Sequence, residues 1–140
     1  MSMELHVLLR KDMIPSIARW NEVLLESALP LIVPADFNLL TDSGFRPFQL
    51  RRENSGVEVY FESDLSSELE TYPILVNVRS SFDSVVAFRW GSRLDECAVA
   101  ILASASLAVT AQGIVYDPQE DVSLTPDEAL TMARETLSAL

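Results

Sequence analysis

Residues 94–112 constrain the fold of this chain more than any other segment. Six alanines (Ala98, Ala100, Ala103, Ala105, Ala108 and Ala111) alternate there with Val99, Ile101, Leu102, Leu107 and Val109. Alanine has the highest helix propensity, and its small side chain lets a helix lie close against a sheet while larger neighbours fill the gaps. Gly91 breaks the segment before it, Ser92 is placed to N-cap, and Asp95 and Glu96 suit the positive end of a helix. Gly113 is expected to be the left-handed cap that ends it. The expectation is a central core helix, with Ile101 and Leu102 both buried.

The remaining segments supply a sheet for that helix to cover. Residues 4–10 form a short apolar run that suits a buried strand, and Asp12 is positioned to cap a helix over residues 13–29, with Pro15 in its first turn and Pro30 as its stop. Residues 31–45 mix Pro34, Asp36, Asn38, Asp42 and Gly44 with apolar side chains and read as an irregular connection. Strands are then expected at 47–52, 57–63, 74–79 and 85–90, the first two joined by a hairpin turn at Asn54-Ser55-Gly56. In each, one set of alternate residues is apolar (Val57, Val59, Phe61; Val86, Phe88, Trp90) and the other is mixed. That is the pattern of an antiparallel sheet covered by helices on one side. A short extended segment at 114–116, a turn at Asp117-Pro118-Gln119, and a capping box at Thr125-Pro126-Asp127-Glu128 opening a final helix complete the chain. The fold class expected is α/β (α+β): a mainly antiparallel sheet of four or more strands with about three helices, the Ala-rich helix packed on one face.

Size and composition agree with a single domain over residues 1–140, since 140 residues lie near the commonest domain length. Apolar residues make up 49% of the chain and mean hydropathy is +0.19, values that a disordered acidic chain does not reach. The N-terminus has neither a basic region nor an apolar signal core, and no apolar run is read as approaching the roughly 18 residues that span a bilayer. A cytoplasmic location is expected, and the single cysteine, Cys97, agrees with a reducing compartment.

Charge is the feature that bears most on function. Twenty-one Asp and Glu stand against ten Lys and Arg, a formal net charge of −11. Residues 53–70 hold six acids and residues 117–128 hold five, with no Lys or Arg in either stretch. A field of one sign repels nucleic-acid phosphates and anionic membranes, so neither is an expected partner, and it attracts basic proteins. Solubility alone is the competing account of this acidity.

Catalytic and cofactor signatures are missing. His6 is the one histidine and lies within an apolar strand, where a hydrogen-bonded sheet residue is the expected role. Cys97 lacks a nearby histidine in sequence and reads as a small apolar core residue. One Cys and one His make no zinc site, the four glycines each have a turn or cap to explain them, and no phosphate-cradling loop remains, so no cofactor or metal is expected. Asp117, Glu120 and Asp121 lack the ligand spacing of a calcium loop and read as a solvated turn.

The mixed sheet face is the better candidate. Gln49, Arg51, Glu58, Tyr60, Glu62, Asn77, Arg79 and Arg89 are expected to project from adjoining strands, with the arginines and glutamates forming a cross-strand charge ladder. Tyr and Arg are enriched among interface anchors, so such a face suits protein docking. The candidate binding residues are therefore Arg51, Glu58, Tyr60, Glu62, Arg79 and Arg89, with Asp117, Glu120 and Asp121 as the second acidic group. A glycosidase-like pair at Glu58 and Glu62 has no cleft to support it.

From Phe88-Arg89-Trp90-Gly91 through the Ala-rich helix, Gly113-Ile114-Val115-Tyr116-Asp117-Pro118-Gln119 and the Thr-Pro-Asp-Glu cap, the last third of the chain resembles the C-terminal part of small uncharacterised bacterial α/β proteins, some of which resemble toxin-immunity proteins. The resemblance implies a bacterial source and carries caps and turns, with no catalytic residue. The leading expectation is a non-enzymatic acidic binding protein, most concretely an immunity protein that neutralises a basic toxin. The alternatives are a small-molecule-binding or enzymatic domain with a pocket beside residues 31–45, and a structural subunit that homo-oligomerises through a strand edge or the final helix.

Overall fold

The structure is a computed structural model that describes residues 2–140. The elements in chain order are β1 (Met3–Leu9), a 3-10 turn (Lys11–Met13), α1 (Ile17–Glu26), β2 (Leu31–Ile32), β3 (Gly44–Leu50) and β4 (Glu53–Glu62). There follow α2 (Ser66–Thr71), a 3-10 segment (Pro73–Val78), β5 (Ser84–Trp90), α3 (Leu94–Ala111), β6 (Ile114–Asp117), β7 (Val122–Leu124) and α4 (Pro126–Ser138). The strands form one antiparallel sheet in the order β2-β3-β4-β5-β1-β6-β7. The expected class, a mainly antiparallel sheet under an Ala-rich helix, is the class observed.

Alternation in the strands decides which face is buried. Leu5, Val7 and Leu9 of β1, Val57 and Val59 of β4, Val86, Phe88 and Trp90 of β5, and Val115 of β6 all join one apolar core with α3. Leu102 is fully buried there, whereas Ile101 is only partly covered, so the two expected core residues differ in depth. Helices α1 and α4 pack against α3, which is how an 18-residue helix long and apolar enough to cross a membrane comes to be covered by protein. The α1 to α3 contact includes a buried hydrogen bond from the Trp20 indole N–H to Ser106 Oγ at 2.8 Å. Ser106 in turn donates to the carbonyl of Leu102 at 2.7 Å, so a polar pair enters the core with its groups satisfied.

Several local expectations are corrected. The cap of α1 is Ser16, whose hydroxyl accepts the Arg19 N–H at 3.1 Å; Asp12 and Pro15 precede the helix and take no part in it. Arg93, not Ser92, occupies the N-cap position of α3. Gln112 takes the left-handed conformation at its end (φ 55), and Gly113 is required for another reason: a Cβ there would run into the carbonyl of Leu8. The β3-β4 hairpin turns at Arg51-Arg52, not at Asn54-Ser55-Gly56, which lie inside β4. Gly56 sits opposite Pro47, and a Cβ on it would strike the Phe45 ring that lies over it. Residues 74–79 form no strand. Pro73–Val78 is a 3-10 segment, because the side chains that turn inward, Tyr72, Leu75 and Val78, recur every third residue rather than every second. The capping box of α4 is as expected, with Thr125 and Glu128 each bonded to the other's backbone N–H.

The second face of the sheet is only half covered. Leu65 and Leu75, with Leu69, Tyr72, Val78 and Phe82, pack the α2 excursion onto Leu8, Val85 and Tyr116, that is, over β5, β1 and β6. Over β2, β3 and β4 the same face is open: Ile32, Phe45, Pro47, Gln49 and Asn54 are exposed, Phe45 by 52%. Both edge strands are short, with two residues in β2 and three in β7, and because β2 pairs only with Gln49 and Leu50 the rest of β3 is also an edge.

Candidate functional site

At the border between the covered and open halves of the second face, the strand registers line up rows of side chains. Glu58 of β4, Arg89 of β5 and Glu4 of β1 form one row, and Tyr60, Ala87, His6 and Tyr116 form the next across β4, β5, β1 and β6. Ala87 is small, so Tyr60 and His6 flank a depression of about 430 Å³ whose far wall is Glu68, Thr71 and Tyr72 of the α2 excursion.

His6 is the pivot. It is 5% exposed, its Nδ1 bonds the Glu68 carboxylate, and its Nε2 lies 3.0 Å from Glu4 Oε1. Burial alone would push the imidazole below its ordinary value, but the hydrogen bond and charge of Glu68, reinforced by Glu4, outweigh it and raise the pKa. The rings of Tyr72 and Tyr116 stand edge-on to His6 with centroids 5.7 and 6.3 Å away and pack against it. Both ring nitrogens are occupied by carboxylates, so neither is free to accept a proton from a substrate.

Around this pivot the groups nearest solvent are charged and aromatic. Arg89 lies 3.7 Å from Glu4 and its Cζ is 5.4 Å from the centroid of Tyr60. Among the described residues its buried Nε has no hydrogen-bond partner. The Tyr60 hydroxyl donates to Glu58, and that bond, with partial burial, raises the phenol's pKa. Burial raises that of Tyr72, with the charges of Glu4 and Glu68 adding to it. Burial and a hydrogen bond to Asp121 raise that of Tyr116 strongly. The phenols are thus neutral at neutral pH, and of the nearby carboxylates Glu4 and Glu68 bond the His6 ring while Glu4 also lies beside Arg89.

Of the residues expected from sequence, the structure brings Glu58, Tyr60, Glu62 and Arg89 together. Arg79 lies at the end of the 3-10 segment, off the sheet, because its expected strand does not exist. Asn77 leaves the face with it. Arg51 is at the tip of the β3-β4 hairpin, the far end of β4 from Glu62, and donates to the Leu137 carbonyl at 3.2 Å. Asp117 shapes the β6-β7 turn, its carboxylate accepting the Gln119 backbone N–H at 2.9 Å, while the Gln119 side chain bridges to the Glu4 backbone. Asp121 accepts from the Tyr116 hydroxyl, and Glu120 is exposed in the same turn.

Sequence reasoning missed Glu4, Glu68 and Tyr72 as members of the site. A signal for the last two exists: Leu65, Leu69, Tyr72, Leu75, Val78 and Phe82 recur at spacings of three and four, which marks a helical excursion with an inner face. Cys97 is half buried against the core, and burial raises its thiol's pKa, the environment of an inert packing residue. Comparison with known protein families, curated proteins and solved structures finds no match to this chain.

Proposed function

We propose that this chain is a non-enzymatic binding protein that docks a basic protein on the uncovered half of its sheet. The observation that carries the reading is the half-open second face. The exposed ring of Phe45 and the exposed Ile32 lie there beside the Glu58, Tyr60, Glu62 and Arg89 cluster, with no helix over them. Aromatic and arginine side chains in such a patch suit interface anchors, and a carboxylate rim suits a cationic partner. The net charge of −11 adds long-range steering toward such a partner. The most concrete form of this function is a bacterial cytoplasmic immunity protein that covers the active site of a basic toxin. The engagement of both nitrogens of His6 favours binding over catalysis.

Capture on the immobilised chain tests the reading. The wild type is expected to retain a basic protein from cells of its source at low salt and release it at high salt. The triple substitution Phe45→Ala, Glu58→Gln, Glu62→Gln is expected to reduce retention by about tenfold or more. If the retained protein is acidic, or is held equally by the triple variant, docking on this face is wrong.

A further inference from the structure

A sizeable cavity lies at the edge-strand end of the sheet and adjoins the docking face at Ile32. It encloses about 720 Å³, with the buried Leu29 and Leu31 as its floor, the exposed Leu25 and Ile32 on its walls, and Arg51 and Arg52 at its rim. A groove of this size and apolar character is typical of small-molecule sites.

Two further observations say what it suits. Arg51 and Arg52 are the central residues of the β3-β4 turn and both are left-handed, with φ of 52 and 66. A two-residue turn of this kind is best served by Asn-Gly, and side chains bearing a Cβ are strained in it. Ala28, directly before Leu29, is left-handed as well (φ 57). Strain of this sort gathers where function requires it.

The polar groups at the groove are also one-sided. Asn21 is engaged with the backbone of Val33, donating one N–H to its carbonyl and accepting from its N–H, both at 2.9 Å. Arg51 uses one N–H on Leu137, and among the described residues Arg52 makes no side-chain hydrogen bond or ion pair. What the groove offers a ligand is therefore apolar surface ending in cationic donors, in a chain with only ten basic residues.

We propose that this groove binds a free amphipathic carboxylate, its aliphatic tail on Leu25, Leu29, Leu31 and Ile32 and its head on the guanidinium of Arg52, with Arg51 adding charge. The planar guanidinium matches a carboxylate in two parallel hydrogen bonds, which sets this head group apart from a neutral or cationic one. The groove shares Ile32 with the docking face, but its head-group site at Arg51 and Arg52 lies outside the Glu58 and Glu62 rim, so either proposal can fail without the other.

The experiment is calorimetric titration with dodecanoate below its micelle concentration. Dodecyltrimethylammonium serves as the same tail with the opposite charge, acetate as the head without the tail, and anionic phospholipid vesicles as the membrane control. The wild type is expected to bind dodecanoate and none of the other three. Two variants remove the cations differently. Arg51→Asn with Arg52→Gly supplies the residues the turn favours, so its unfolding midpoint is expected to rise, and Arg52→Gln keeps a polar side chain without the charge. Both are expected to bind dodecanoate about tenfold or more weakly. The proposal is overturned if the wild type fails to bind dodecanoate, binds the ammonium analogue equally well, binds only vesicles, or loses nothing in these folded variants.

Discussion

Replacing Leu102 with alanine is expected to cost about 2 to 5 kcal/mol of folding stability, as a leucine truncated inside a close-packed core does. Leu102 is fully buried in the middle of α3, where the helix packs against the sheet and against α1 and α4. Its neighbours Ala98, Ala103 and Ala105 are fully buried too, and an alanine cannot reach into the space that a lost isobutyl group leaves. Ile101 is only partly covered, so Ile101→Ala is expected to cost less. Denaturant unfolding of the two variants checks this ordering. Equal losses, or a loss at Leu102 well below the low end of the range, would contradict the placement of α3.

Removing His6 alone is the second large effect. His6→Leu leaves Glu68 buried without its partner, a change that costs about 3 to 5 kcal/mol when a buried pair is broken from one side. Glu4 retains Arg89 as a neighbour, so the orphaned group is Glu68. Replacing both members, His6→Leu with Glu68→Leu, is expected to recover most of the loss, since an apolar pair of similar volume has no charge to desolvate. The pH dependence follows from the raised pKa of His6. A group with a higher folded than unfolded value stabilises fully below its unfolded value, about 6.5 for histidine, and that contribution fades as pH rises through the folded value. The wild type is therefore expected to lose stability relative to the double variant as pH rises above the unfolded value of about 6.5. A difference that stays flat or grows over that rise would show that the imidazolium is not what holds Glu68.

Local signals were legible where they were strong and short-range. The Ala-rich composition of α3, the Thr125 to Glu128 box and the alternation in β4 and β5 each depend on residues within a few positions of one another, and each is found in the structure. The alternation of Ile74, Val76 and Val78 misled, because a short run such as Pro73–Val78, apolar but for Asn77, fits a two-residue and a three-residue period almost equally well; Ile74 and Val76 are in fact exposed. The hairpin turn was misplaced because Asn54-Ser55-Gly56 has the favoured composition, while Arg51-Arg52 adopts the required left-handed backbone against preference. The strands β2 and β7 are too short to carry a period. Glu58, Tyr60, Glu62 and Arg89 were found because they share a face through neighbouring registers. The pairing of His6 with Glu68 spans 62 positions and depends on how the α2 excursion folds back, which no local pattern encodes.

The central claim, docking of a basic partner on the acidic open face, is tested most directly by association rates with the captured protein across ionic strength. Electrostatic steering predicts a rate that falls steeply as salt rises. At low salt, Glu58→Gln with Glu62→Gln is expected to slow association. Glu120→Gln with Asp127→Asn, which removes two exposed charges outside this face, is expected to stay near the wild-type rate. Neither pair is expected to change folding stability by more than about 1 kcal/mol. A rate that does not respond to salt, or one slowed by the Glu120 and Asp127 pair but not by the Glu58 and Glu62 pair, would contradict the account.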